Sequence, residues 1–164
     1  MRNDGAFLVL FKDHQRKEVF LVFRSDFPVW VLTGGGIEEG ETPQEAAIRE
    51  AKEETGFEVK PVKKVGIYKL VSKNHILKNT YFYEGRVVSG TFKPEFVGCR
   101  GERFSVDNLP ADLITATKQL IREICQPINE PFVKEINRVF QLSDFKIALR
   151  HPFATIKFLT IGRG

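Results

Sequence analysis

Short apolar runs, separated by polar turns and glycines, mark the first part of the chain. Residues 6–11 and 19–23 are continuous apolar runs with β-branched and aromatic side chains, which predicts two buried strands. Residues 30–32 predict a third, short strand. The glycines that follow, Gly34 to Gly36, are expected to break any regular element. Further strands are predicted at residues 65–71, 80–88 and 103–106.

A helix is predicted at Pro43–Thr55, because both of its ends carry helix signals. Thr42 can cap the N-terminus, Pro43 suits the first helical position, and Glu45 completes a capping box. Gly56 suits the left-handed conformation that commonly ends a helix. The ends of this helix are therefore predicted more sharply than those of any other element.

Two more helices are predicted in the second half of the chain. Residues 111–125 place their apolar side chains on one side, and Pro127 ends that pattern. Residues 131–140 also carry an apolar face, which predicts a further helix. Residues 154–161 predict a final strand.

The length and composition favour a single globular domain. The chain has 164 residues, of which 42% are hydrophobic and 28% charged, and no repeat or linker interrupts it. We expect one domain over residues 1–164, with a core at about 5–126 and a helical C-terminal extension at 127–164. The apolar face of the extension suits packing on the core or a homodimer contact.

Charge and cysteine content narrow the class of partner. The net charge of +4 is modest and dispersed, which fits anionic ligands such as phosphates and does not favour nucleic acid. No apolar stretch approaches the ~18 residues that cross a bilayer, and the first residues lack a secretory layout. Cys99 and Cys125 are not spaced for zinc. We expect a cytoplasmic protein with a small-molecule partner and no membrane association.

Three glutamates, Glu50, Glu53 and Glu54, share one face of the predicted helix Pro43–Thr55. Carboxylates crowded in this way repel each other, and they lie near the helix C-terminus, where the macrodipole also disfavours negative charge. A solvated acidic face is the commoner explanation of such a triplet taken alone. A hard divalent cation between the side chains would explain it equally directly, since Mg²⁺ prefers oxygen ligands.

The glycines before the helix add a second feature. In a glycine-rich segment, the backbone can approach a metal ion or a phosphate closely. Gly34, Gly35 and Gly36 lead within a few residues to the helix that carries the glutamates. A cation could therefore be held from both sides.

The segment from Gly35 to Phe57 resembles the Nudix box. In that pattern a glycine, five residues, a glutamate and seven residues precede Arg-Glu-apolar-any-Glu-Glu-any-Gly-apolar. Residues 30–35 also resemble the family's entry to the box, with Thr33 where proline is usual. The likeness covers about residues 5–125. The matching positions of the box are Gly35, Glu41, Arg49, Glu50, Ala51, Glu53, Glu54, Gly56 and Phe57.

This resemblance implies an α/β fold, an αβα sandwich around a mixed sheet. It also implies hydrolysis of a nucleoside diphosphate linked to another group, with Mg²⁺ or Mn²⁺ as cofactor. By position, Glu50, Glu53 and Glu54 would bind the metal, and Gly34 would offer it a backbone carbonyl. Arg49 would hold glutamates, including Glu41, through paired hydrogen bonds.

The general base is left open between several carboxylates. Glu50 is the choice within the box. Members of the family also use a carboxylate from a distant loop, and Glu102 or Glu95 could serve here. We favour Glu102, because it directly precedes the predicted strand at residues 103–106.

Weaker predictions concern substrate contacts. Arg24, at the end of its strand, could contact a phosphate, although a surface role is equally common. Trp30 could stack on a base, but core packing is the commoner role of such a residue. Tyr81, with Tyr68 and Phe82, could line the substrate pocket, although strand cores use the same residues.

Two other activities are compatible with the resemblance. The first is hydrolysis at RNA 5′ ends, which lacks the support of an aromatic and basic stripe. The second is nucleotide binding without hydrolysis, which the complete set of box glutamates disfavours.

Overall fold

A computed structural model describes residues 4–72, 75–126, 130–137 and 144–150 of the chain. No helix within these ranges combines the length and the apolar character needed to cross a bilayer. The strands are β1 (Gly5–Phe11), β2 (Glu18–Phe23), β3 (Trp30–Val31), β4 (Thr33–Gly36), β5 (Glu58–Ser72), β6 (His75–Ser89), β7 (Arg100–Ser105) and β8 (Phe132–Ile136). The helices are α1 (Pro43–Thr55), α2 (Thr115–Cys125) and α3 (Phe145–Arg150).

The described strands form one mixed sheet. At its centre β1 runs parallel to β6 and antiparallel to β2 and β4. The order across the sheet is β3–β2–β1–β6–β5–β8, while β7 pairs with the other edge of β2. β5 is antiparallel to β6 and parallel to β8. The expected mixed sheet is thus confirmed.

The sheet lies between α1 and α2. Side chains along β1 alternate between two buried clusters, because successive residues of a strand point to opposite faces. Leu8 and Leu10 pack with the α1 residues Ala46, Ala47 and Ala51. The intervening residues of β1 pack on the other face, and that cluster contains Val9, Phe11, Leu120, Ile121 and Ile124. The expected αβα layering follows from these two clusters.

Helix α1 has the predicted ends. The Thr42 hydroxyl accepts a hydrogen bond from the Glu45 backbone N–H, and the Glu45 carboxylate accepts one from the Thr42 backbone N–H. Gly56 adopts φ 70°, and its N–H donates to the Lys52 carbonyl at 2.7 Å. The caps at both ends therefore define the helix on which Glu50, Glu53 and Glu54 lie.

The glycine segment was predicted to break regular structure, and that prediction is wrong. Gly34, Gly35 and Gly36 form most of β4, which pairs antiparallel with β1. Glycine is required here, because a Cβ at Gly34 would lie 2.3 Å from the Ala6 carbonyl oxygen, and Gly34 has φ 148°. The missing side chains let β4 pack tightly beside β1 and under α1.

The prediction of a helix at residues 131–140 is also wrong over residues 131–137, which are the part that the structure describes. Phe132–Ile136 is the strand β8, whose burial alternates along the chain. The ring of Phe132 occupies the space left by Gly66, where a Cβ would lie 2.6 Å from it, and it packs against Tyr68. The apolar spacing that suggested a helix instead serves a strand paired with β5.

Two smaller differences from the predicted elements lie in the second half of the chain. Helix α2 begins at Thr115 rather than at 111, because Trp30 N–H bonds the Asp112 carbonyl and Trp30 pairs with Leu113. The strand predicted at 154–161 lies outside the described residues. The short helix α3 was not predicted.

Candidate active site

Arg49 joins the loop before α1 to the acidic face of that helix. Its Nε and Nη2 donate to the two carboxylate oxygens of Glu41 at 3.1 and 2.7 Å. Its Nη1 donates to Glu50 at 3.0 Å and to Glu53 at 3.1 Å, and Nη2 also donates to the Gly36 carbonyl at 3.1 Å. These bonds, that to Glu41 above all, raise the pKa of Arg49. The predicted pair with Glu41 is present.

Glu54 lies against the glycine strand and is largely withdrawn from solvent. Its Oε2 accepts a hydrogen bond from the Gly34 N–H at 3.0 Å. Burial raises the pKa of Glu54 to about 7, opposed by the Gly34 hydrogen bond and supported by the negative charges of Glu50 and Glu95. Arg24 lowers that pKa by a smaller amount. Burial and the two neighbouring carboxylates therefore both disfavour the charged form of Glu54.

Glu50 approaches the same glycine strand from α1. A Cβ at Gly35 would lie 2.5 Å from the Glu50 carboxylate, so only glycine leaves room for it. The carboxylates of Glu50 and Glu54 thus meet neighbouring residues of β4. Oxygen donors beside an open backbone are the chemistry that a hard divalent cation requires.

The acidic side chains are not assembled around a cation in this arrangement. Within the described ranges, no group of three Asp, Glu, His or Cys side chains converges as a cation site. Arg49 accounts for this, because it holds Glu50 and Glu53 through ion pairs of 3.0 and 3.1 Å. The residue types and the glycine cradle fit a divalent cation, which would have to compete with Arg49 for these two carboxylates.

Two clefts open beside Glu54. The smaller, about 400 Å³, is lined by Arg24, Asp26 and Glu54 together with Glu95, from the loop before β7. The larger, about 440 Å³, extends from Glu54 and the glycine strand across the α2 face of the sheet. Its lining is mainly apolar and aromatic, and it includes Phe7, Leu32, Tyr68, Leu70, Phe82, Leu120 and Ile136.

A comparison with known families accords with this geometry. Residues 1–124 match the family model described as the NUDIX domain. The chain belongs to the Nudix family.

Relatives in this family carry several different names. The matched part of this chain is 41% identical over 68 residues to a candidate 8-oxo-dGTP diphosphatase of Bacillus subtilis, covering 42% of this chain and 44% of that protein. It is 38% identical over 79 residues to the human diphosphoinositol polyphosphate phosphohydrolase 2, covering 48% and 42%. The chain therefore spans about half or less of the length of these relatives.

Solved structures show the same Nudix fold. A crystal structure of an ADP-ribose pyrophosphatase from Streptococcus suis aligns with a TM-score of 0.64 at 22% identity. The alignment covers 83% of this chain and 100% of the Streptococcus suis chain. A MutT Nudix hydrolase from Burkholderia pseudomallei aligns with a TM-score of 0.62 at 20% identity, covering 74% and 97%.

Of the three predicted substrate contacts, the structure places one at the Nudix clefts. Arg24 lines both clefts, and its Nε donates to Asp26 at 2.9 Å. Trp30 is only 7% exposed and packs edge-on against Phe23 and Phe104, which is the core role weighed above. Tyr81 packs in the cluster on the α1 face, away from the larger cleft.

The two carboxylates outside the box that were considered for the general base lie in different places. Glu102 is exposed on β7 and pairs with Leu21. It shares a strand face with Phe104, which packs on Trp30 in the α2-side cluster, whereas α1 packs on the opposite face. Glu95, by contrast, lines a cleft together with Glu54. Of these two side chains, Glu95 is the one that lies at a cleft beside Glu54.

Sequence reasoning missed most of the residues that line the larger cleft, among them Lys78 and Ile136. Lys78 could have been found by alternation, because Phe82 was a pocket candidate and residues 78, 80 and 82 share a strand face. Ile136 carried no such signal, since its role depends on β8 pairing with β5.

Proposed function

We propose that this chain hydrolyses the pyrophosphate linkage of a nucleotide and uses Mg²⁺ or Mn²⁺ to do so. The observation that carries the proposal is the position of Glu54. Its carboxylate is held by Gly34 at the point where Glu50, Glu95 and an aromatic cleft meet. Membership of the Nudix family supports the same reaction class.

The divalent cation would be held by Glu50, Glu53 and Glu54, with the Gly34 carbonyl as a backbone ligand. When bound, it would offset the charge of the phosphates and lower the pKa of a coordinated water. Nothing covalent is required of the protein in such a reaction, so position and charge carry the catalysis.

Arg49 would orient the glutamates when they turn toward the metal. In the structure it already fixes Glu41 in the loop and Glu50 and Glu53 on the helix. A guanidinium can hold a carboxylate in two parallel hydrogen bonds, which a lysine cannot do.

Glu95 is the carboxylate that we propose to take a proton from the attacking water, with Glu50 as the alternative. Glu95 is exposed, lies on a loop rather than on α1, and faces Glu54 across the smaller cleft.

The larger cleft suits a nucleoside portion of the substrate. Phe7 stacks on Phe82 with centroids 5.7 Å apart, and Tyr68 packs edge-on to Phe82 at 5.3 Å, forming an aromatic floor. Among its lining residues only Arg24 and Lys78 are cations. Such a lining fits a base with a short phosphate chain better than a highly phosphorylated inositol.

A turnover assay tests the proposal. Purified protein is incubated with nucleoside triphosphates, ADP-ribose, other nucleoside diphosphate derivatives and 5′-triphosphorylated RNA, with Mg²⁺, Mn²⁺ or EDTA. We expect metal-dependent release of a nucleotide product, and a fall in kcat of about a hundredfold or more in Glu53→Gln. Lys52→Gln, on the same helix but paired with Glu58 away from the cluster, is the matched control.

Three outcomes separate the alternatives. Turnover restricted to RNA would assign the RNA activity. Nucleotide binding without hydrolysis under any metal would assign a binding module and reject the proposal. Unchanged turnover in Glu53→Gln would remove that residue from the metal site.

A further inference from the structure

The larger cleft contains a cation that the proposed chemistry has not used. Lys78 lies on β6 opposite Leu70 of β5, and both side chains line the cleft. In the part of the chain that the structure describes, no carboxylate forms an ion pair with Lys78. Arg24, the other cation of this cleft, is already bound to Asp26. Lys78 is thus the cation there that is available to a ligand.

The side chain of Lys78 reaches the glycine strand because Gly5 leaves space for it. The point where a Cβ would stand at Gly5 is 3.3 Å from Lys78 Cε and 3.4 Å from Lys78 Nζ. The same point is 3.1 Å from the Gly35 carbonyl oxygen. The ammonium group therefore lies beside β4, next to the part of the strand that Glu50 and Glu54 contact.

We propose that Lys78 is a specificity-determining residue that binds a phosphate group of the substrate along β4. This inference rests on the proposed nucleotide hydrolysis and extends it. An ammonium is a compact point charge on a flexible stem, which suits a phosphate oxygen whose position is set by other contacts. The mainly apolar lining of the cleft reduces screening by water and strengthens the attraction.

The position of Lys78 also separates it from the metal ligands. Glu54 meets β4 at the N–H of Gly34, whereas Lys78 meets it near the carbonyl of Gly35. A phosphate chain lying along the strand would have its cation-bound part near Glu54 and another phosphate near Lys78. The aromatic floor would then receive the base.

Binding measurements test this without depending on turnover. Wild type, Lys78→Met and Lys78→Arg are titrated by calorimetry with adenosine, AMP, ADP and the α,β-methylene analogue of ATP, and with the guanine series, in Ca²⁺. Lys60→Met is the matched control, because Lys60 lies on the same hairpin, is exposed, and pairs with Arg86 ten residues along β5 from Leu70. Thermal unfolding of each variant verifies that it is folded.

We expect Lys78→Met to weaken binding of at least one phosphorylated probe by about tenfold to a hundredfold, as for the loss of a charge-assisted bond. The nucleoside should bind unchanged, and Lys78→Arg should retain most of the affinity. In turnover the KM should rise more than kcat falls. Lys60→Met should match wild type.

Other results overturn the proposal. Equal affinity of wild type and Lys78→Met for every phosphorylated probe rejects it, as does an equal loss for the nucleoside. Failure of wild type to bind any probe rejects it too. Lys78-dependent binding without metal-dependent turnover would instead support phosphate binding by Lys78 and reject the proposed hydrolysis.

Discussion

Arg49 donates two parallel hydrogen bonds to Glu41, so a side chain of helix α1 fixes the loop that precedes this helix. The same guanidinium reaches Glu50 and Glu53. The loop, the helix face and the glycine strand are therefore held by one side chain. Its loss should disturb catalysis more than folding.

Replacing Arg49 by lysine tests this role. We expect Arg49→Lys to lower kcat about tenfold to a hundredfold, because the ammonium keeps the charge but cannot form the paired bonds. KM should change less. The measurement is steady-state kinetics with thermal unfolding, and Arg122→Lys, on the exposed surface of α2, is the control. Full activity in Arg49→Lys would show that charge alone suffices.

The two distant carboxylates give opposite expectations. We expect Glu95→Gln to reduce kcat by about tenfold or more, because Glu95 faces Glu54 across a cleft. Glu102→Gln should leave kcat nearly unchanged, since Glu102 lines neither cleft beside Glu54. A pH profile of kcat/KM for both variants is the measurement. A larger effect of Glu102→Gln would reinstate the residue favoured from the sequence.

Glu54 should make the metal-free protein less stable as pH rises. Its folded pKa, about 7, lies above the ordinary value of 4.5, so the folded state binds the proton more tightly. Stability from this group is therefore present below pH 4.5 and is lost as pH rises through about 7. Relative to Glu54→Gln, the free energy of unfolding should fall by on the order of 1 to 3 kcal/mol across that window.

The test is chemical denaturation in EDTA between pH 4.5 and 8 for both proteins. Saturating Mg²⁺ should restore stability to wild type at pH 7.5 and have less effect on Glu54→Gln. A difference between the two proteins that does not change with pH would contradict the assigned environment of Glu54.

A buried ion pair joins the first turn to the sheet. Glu84 of β6 is fully buried, and its carboxylate lies 2.9 Å from the guanidinium of Arg16. We expect Arg16→Met to lower the free energy of unfolding by about 3 to 5 kcal/mol, because it leaves a buried charge without a partner. Denaturant titration measures this. The double variant with Glu84→Gln should be less destabilised than Arg16→Met, and an additive loss would contradict the pairing.

Helix α1 was predicted with its observed ends because its signals are local. Thr42 and Glu45 cap the first turn, and Gly56 ends the last turn. The residues that set the length of the helix are therefore neighbours in the sequence. The face shared by Glu50 and Glu54 follows from the same helical period.

The wrong predictions concern elements that form only by pairing or packing with residues distant in the sequence. Gly34 belongs to a strand only because β1 lies beside it, about thirty residues earlier in the chain. Phe132 belongs to a strand because Gly66 leaves room for its ring. The choice between Glu95 and Glu102 stays a prediction, and it too depends on contacts between residues distant in the sequence, because Glu95 reaches the cleft beside Glu54 through the fold.

Strand β8 forms one edge of the larger cleft. It contributes Ile136 to the larger cleft and is fastened to α2 by the pair between Lys134 and Glu123. The family match ends at residue 124, so β8 lies beyond the matched residues. Two chains with identical boxes can thus enclose differently shaped clefts, because this edge of the sheet can vary in sequence while the box stays the same.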